Sequence, residues 1–109
     1  MVGIYLIRNK ITDEVYIGQS KNIDKRLDSH RRNAKNKKYT LYADMRYYGQ
    51  SSFEFSVIEE CATNSLDERE LFWIRTYLEK GYSLYNIIGV RQKERAYERR
   101  RYKKAFKKY

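Results

Sequence analysis

The stretch GIYLIRNKITDEVYIG, residues 3 to 18, constrains this chain most, because it reads nearly the same from either end. Branched and aromatic residues fill IYLIRN and VYIG, and the KITDE between them is polar, which predicts two strands joined by a turn. In an antiparallel pair, opposed residues have position numbers that add to a constant. A turn centred between Lys10 and Ile11 sets Tyr5 against Tyr16, Ile4 against Ile17 and Gly3 against Gly18. The two tyrosines then share one face of the sheet, about 5 Å apart, while Ile4, Leu6 and Ile17 take the other. A bulge would break that register. Glycines at the outer ends leave room for something bulky to approach the backbone. Taken alone, the pairing also suits an ordinary cross-strand aromatic pair.

The remaining segments give a small α+β domain with a mostly antiparallel sheet. SKNIDKRLDSHRRNA places Ile23, Leu27 and Ala34 at helical spacing, with Ser20 or Asn22 as the cap. LYADMRYYG reads as a second helix with Leu41, Met45 and Tyr48 on one side, ending at Gly49. FEFSVIEE alternates as a third strand, and YSLYNIIG reads as a last short one. SLDERELFWIRTYLEKG has Ser65 and Glu68 in capping-box spacing and stops at Gly81. The chain of 109 residues suits one core, and its single cysteine, Cys61, excludes an intrachain disulfide. With no membrane-span-length apolar run and no signal-peptide pattern at the start, the expectation is a soluble chain in a reducing compartment, cytoplasmic or nuclear, with no membrane partner.

Charge points to the partner. Lysine and arginine total 24 against 14 acids, a formal net of +10. Residues 91 to 109 hold ten basic residues and two acids, and residues 21 to 46 hold nine against three. Charge concentrated in this way suits a polyanion such as nucleic acid better than a merely solvated surface. The boundary is placed at residue 90, with residues 1–90 as the body and 91–109 as a basic tail, helical or ordering on binding.

Two polar features fall where apolar ones are expected. On the helix after Ser65, Leu66, Trp73 and Tyr77 form one stripe, widened by Leu71, Ile74 and Leu78, and Glu70 projects inside that arc. A carboxylate there requires a cation, a metal or a raised pKa; an arginine in a structural ion pair serves as well as a metal. On the first helix, Arg26 and His30 are four apart and project together beside the apolar stripe. Arginine at a core edge also snorkels, and a lone histidine is often structural.

GIY at 3–5, YIG at 16–18, the arginine and histidine of KRLDSH, the glutamate of ERELFWI and the asparagine of YNI, in that order, resemble the GIY-YIG nucleases across residues 1–90. The resemblance implies an α/β sandwich around a small three-stranded antiparallel sheet. It also implies cleavage of phosphodiester bonds in double-stranded DNA with one divalent ion per site, Mg2+ or Mn2+. By the same resemblance, Tyr5 and Tyr16 flank the scissile phosphate, and one of them orients or deprotonates the attacking water. Arg26 binds the phosphate, His30 is a proton-transfer residue of the homing-type branch, and Glu70 is the metal ligand. Gly18 permits close backbone approach, Lys21 matches a basic position of some members, and Asn86 helps shape the site. Some homing-type members carry a second histidine where this chain has Tyr39, so Tyr42 becomes a substitute.

The chemistry is coherent. Hydrolysis needs activated water, charge stabilisation and help for the leaving 3′ oxygen. A tyrosine acting as base needs positive charge nearby to lower its pKa from about 10, and Lys21, Arg26 and the metal are placed to supply it. Tail residues Arg99, Arg100, Arg101, Lys103 and Lys104 are expected to add sequence-independent phosphate contacts. Tyr97, Tyr102, Phe106 and Tyr109 interleave with them, either stacking on bases or packing on the body. One site per chain implies nicking one strand per event, by a monomer or weak dimer. The competing readings are a nucleic-acid-binding module that keeps the fold without catalysis, and a protein-interaction domain with a basic surface.

Overall fold

The computed structural model describes residues 1–88. The hairpin forms from β1 (Gly3–Asn9) and β2 (Val15–Ser20), but in a different register from the symmetric one. Tyr5 lies opposite Gly18 and Ile7 opposite Tyr16, while Gly3 faces Ser20. The turn causes this. The Asn9 side chain accepts from the amides of Ile11 and Thr12 at 2.9 and 3.3 Å, and the Asp13 amide donates to the Asn9 carbonyl at 2.7 Å. Asp13 takes φ 66°, a left-handed conformation that aspartate tolerates. The turn centre therefore slides towards β2, and the pairing shifts by an even step that keeps both tyrosines on one face.

The glycines consequently do separate work. A Cβ on Gly18 would run into Cζ and Oη of Tyr5, whose ring lies over that backbone. A Cβ on Gly3 would strike the Glu59 carbonyl of the neighbouring strand. The bulky group expected against Gly18 is thus Tyr5 of the chain itself.

β3 (Phe53–Glu60) pairs antiparallel with the free side of β1, giving the order β2-β1-β3 with β1 central and a register shift at Ile4/Tyr5. Alternation along β1 divides the core in two. Tyr5 and Ile7 face α1 (Ile23–Asn33) and α2 (Thr40–Tyr48), among Ile23, Leu27, Leu41 and Met45. Ile4, Leu6, Val15 and Ile17 face α3 (Leu66–Glu79), under Leu66, Trp73 and Ile74. Ile4, Ile7 and Ile17 are wholly buried, each contributing about 1.5–3 kcal/mol, so both covered faces of the one sheet add to stability.

Helix ends follow local chemistry. Asn22 caps α1 by accepting from the Lys25 amide at 3.1 Å, and the Ser20 hydroxyl accepts from the Asn22 amide. Arg46 of α2 donates to the carbonyls of Ala34 and Lys37, tying down the link between the two helices. α2 stops at Gly49, with φ 88°. α3 ends in a Schellman pattern: Tyr82 N–H donates to Tyr77 and Gly81 N–H to Leu78, both at 3.0 Å, with Gly81 at φ 89°.

Three expectations are corrected. The capping box at Ser65 does not form, because the chain enters α3 through a 3-10 turn, Thr63–Ser65, that leaves the Ser65 side chain without a cap bond. Leu71 and Leu78 are exposed, so the buried stripe of α3 is narrower than the sequence implies. The last segment is no strand: Leu84 makes one isolated bridge to Val15, and the chain then turns into α4 (Tyr85–Ile88). No helix of the described residues is long and apolar enough to cross a membrane.

Candidate active site

The site is assembled from both strands of the hairpin and four helices, α1 to α4. Alternation brings Tyr5 of β1 and Tyr16 of β2 to the same face as diagonal neighbours, with ring centroids 6.2 Å apart. α1 crosses that face and delivers His30 between them, 5.5 Å from each ring. Tyr5 and His30 are each only 1 % exposed.

His30 is bonded at both ring nitrogens, Nε2 to the Tyr5 hydroxyl at 2.7 Å and Nδ1 to the Tyr42 hydroxyl at 2.8 Å. Burial, reinforced by the charge of Arg26, lowers its pKa to about 4, so at neutral pH the ring is uncharged. A neutral imidazole donates from one nitrogen and accepts at the other. The proton positions of Tyr5, His30 and Tyr42 are therefore coupled along one line.

Burial also pushes the hydroxyl pKa values of Tyr5 and Tyr16 upward, and Arg26 pulls both back only in part. Arg26 acts on both tyrosines in the expected direction, but by itself the guanidinium is outweighed by desolvation. Both are phenols at neutral pH. Lys21, expected to help, is exposed in the short link before α1.

Arg26 is half-buried and borders a cavity of about 350 Å³ together with Tyr16, His30, Tyr39, Tyr42 and Asn86. Tyr39, where a second histidine was the comparison, is 60 % exposed and packs its ring 6.1 Å from Tyr42. It is Tyr42 that occupies the far side of His30.

Glu70 comes from α3, on the opposite face, and is half-buried. Its charge reaches Tyr16 across the outer strand β2. Burial raises its pKa and Asp67 adds to the rise, while a hydrogen bond from Gln19 opposes it. No lysine or arginine among the described residues forms an ion pair with it. Among the described residues no group of three or more His, Cys, Asp or Glu stands ready to enclose a metal. A single carboxylate without a cation still suits a hard divalent ion that keeps most of its water.

Gln19 and Tyr85 carry no signal of their role in the sequence, and the bond that Asn86 makes is not specified there. Gln19 donates to Asp67 at 2.7 Å and so links β2 to the first turn of α3. Asn86 clamps the edge of β2, its amide donating to the Ile17 carbonyl at 2.7 Å and accepting from the Ile17 amide at 3.0 Å. Tyr85 donates to buried Asp44 at 2.6 Å and accepts from Asn9 at 3.2 Å, fixing α4 against α2 behind the cavity. The expected contacts of Arg99, Arg100, Arg101, Lys103 and Lys104 lie outside the described residues.

Comparison with known proteins identifies the family and the fold. Intron-associated endonuclease 1 of Enterobacteria phage T4 is 31% identical over 92 residues, covering 81% of this chain and 37% of that protein. The chain thus spans little more than a third of that relative's length. The solved catalytic domain of the homing endonuclease I-TevI superposes with a TM-score of 0.65 at 28% identity, over 76% of this chain and 95% of that one. An alanine mutant of the I-TevI catalytic domain gives 0.64 at 29% identity, over 75% and 89%. Residues 1–83 match the GIY-YIG catalytic domain, and the chain belongs to that family.

Proposed function

We propose that this chain is a divalent-metal-dependent endonuclease that hydrolyses phosphodiester bonds in double-stranded DNA, nicking one strand per binding event. The observation that carries the reading is the convergence of Tyr16, Arg26 and His30 on one cavity, with Glu70, which forms no ion pair among the described residues, across the strand. Nothing in a core or a plain binding surface requires that combination.

Arg26 would bind the phosphate, its planar fork meeting two oxygens and matching the charge that builds in the transition state. Tyr16 borders the cavity, whereas Tyr5 does not. Tyr16 would therefore position the attacking water, with Tyr5 behind it. Because neither phenol is ionised in the free chain, a pre-formed tyrosinate is a poor base here. The water proton instead passes to Tyr16 as Tyr16 releases its own towards Tyr5, and onward to Nε2 of His30. His30 gives up its Nδ1 proton to Tyr42, which borders the cavity and returns a proton there. Glu70 would hold the divalent ion, magnesium or manganese, which supplies Lewis-acid stabilisation of the leaving 3′ oxygen. Basic residues of the tail would add phosphate contacts without reading sequence.

Plasmid relaxation with magnesium tests this, comparing wild type with Glu70→Ala and Arg26→Ala after circular dichroism shows all three folded. Wild type should convert supercoiled DNA to open circles and both variants should not. Equal cleavage by all three would sink the assignment.

A further inference from the structure

The first turn of α2 has polar groups that the nuclease reading leaves unused. Its cap residue, Tyr39, makes no side-chain bond to the opening amides, and the turn holds no acidic residue. The first N–H groups of a helix have no acceptor within it, and the helix dipole favours an anion beside them. Water or a capping side chain normally answers them; here no side chain does, and Thr40, Leu41 and Tyr42 are largely buried residues beside the cavity. Thr40 is 4 % exposed, and its Oγ1 is the one buried side-chain polar atom among the described residues with no hydrogen-bond partner. A buried hydroxyl left without a partner costs stability. Thr40 borders the same cavity as Arg26.

We infer that this turn is a second phosphate position. Thr40 Oγ1 and the opening amides of α2 donate to the backbone phosphate that flanks, on the same strand, the phosphate held by Arg26. The inference rests on the nuclease reading for the identity of the strand, but the site itself follows from the uncapped turn and the unpartnered Thr40 hydroxyl beside the cavity. Neutral donors suit such a position, because hydroxyl and amide hydrogens aimed at one anion give charge-assisted bonds without adding a lysine or arginine. Two phosphates held at fixed places also set the direction in which the strand crosses the site.

Two substitutions isolate the groups. Thr40→Val removes only the hydroxyl at nearly constant volume. Thr40→Pro removes the hydroxyl and one N–H; proline suits the first helical position, and Tyr39, at φ −64° and ψ 149°, already has the extended backbone required before proline. Inorganic phosphate titrated into the whole chain should shift the amide resonances of Thr40 and Leu41 saturably, with affinity about tenfold weaker in Thr40→Val. Affinity for a duplex in chelating buffer should fall by about tenfold in both variants, with the melting temperature of Thr40→Val equal to or above wild type. Phosphate shifts confined to the surroundings of Arg26, or unchanged duplex affinity in both variants, would overturn the inference. Shifts at Thr40 without a change in duplex affinity would mark a free-anion position and overturn its assignment to DNA. If wild type relaxes no plasmid yet the Thr40 variants lose duplex affinity, the phosphate position stands and catalysis falls.

Discussion

Burial and the neighbouring charge of Arg26 hold His30 with a pKa lowered to about 4, against about 6.5 for a free imidazole. Between those values the unfolded chain binds more protons than the folded one, so stability rises with pH across that window. It is fully present above about pH 6.5 and is lost as pH falls towards 4, by roughly 3 kcal/mol in all. Thermal melts from pH 7.5 to 4.5 should show the decline, and His30→Gln should flatten it. Gly18 gives a second prediction at this scale. Tyr5 cannot yield to an added Cβ, because its ring is buried and its hydroxyl is held by His30. Gly18→Ala should therefore cost about 1–3 kcal/mol in denaturant unfolding, with cleavage falling further than stability alone explains. The close approach was legible as a motif glycine. Its occupant was not, because mirror symmetry in the sequence says nothing about Asn9 and Asp13, which set the register.

The segment after Gly81 shows why elements can be legible in kind but not in form. YSLYNIIG has strand composition, yet Asn86 offers Ile17 both halves of a ladder pair from one side chain, and the backbone is then free to turn into α4. Asn86→Ala should weaken this edge by about 1–3 kcal/mol, read most directly as faster hydrogen exchange at the Ile17 amide. The same substitution should leave exchange within β3, on the other side of β1, close to wild type. α3 was read correctly as a helix with a carboxylate in its apolar arc. The exposure of Leu71 and Leu78 escaped that reading because periodicity gives a direction, whereas the width of the buried stripe depends on what packs opposite.

Across the whole molecule, the two faces of one sheet hold separate parts of the machinery. The tyrosines, His30 and Arg26 lie towards α1 and α2, and Glu70 reaches in from the α3 side across β2. Stability and activity should therefore separate at Glu70. Its pKa is raised by burial and by Asp67, so its ionised form opposes folding at neutral pH. Glu70→Gln should melt at or slightly above the wild-type temperature at pH 7 while losing cleavage by about a hundredfold or more. Added magnesium should raise the wild-type melting temperature by ligand linkage and leave Glu70→Gln unmoved. The constellation was legible because its members sit on regular elements whose faces follow from spacing. The bonds of Gln19 and Asn86 and the unpartnered hydroxyl of Thr40 were not, because only the folded chain defines them.

The ring of Tyr5 lying over Gly18 has a consequence for descent. On the proposed metal role, a lineage that abandons cutting is free to discard Glu70, whose half-buried carboxylate opposes folding when ionised. The first tyrosine and its glycine are interlocked, and losing either opens a hole or a clash in the interior. In relics of such enzymes the namesake letters should outlast the chemistry, and on the proposed mechanism the glutamate, not the tripeptides, becomes the residue by which to judge whether a descendant still cuts.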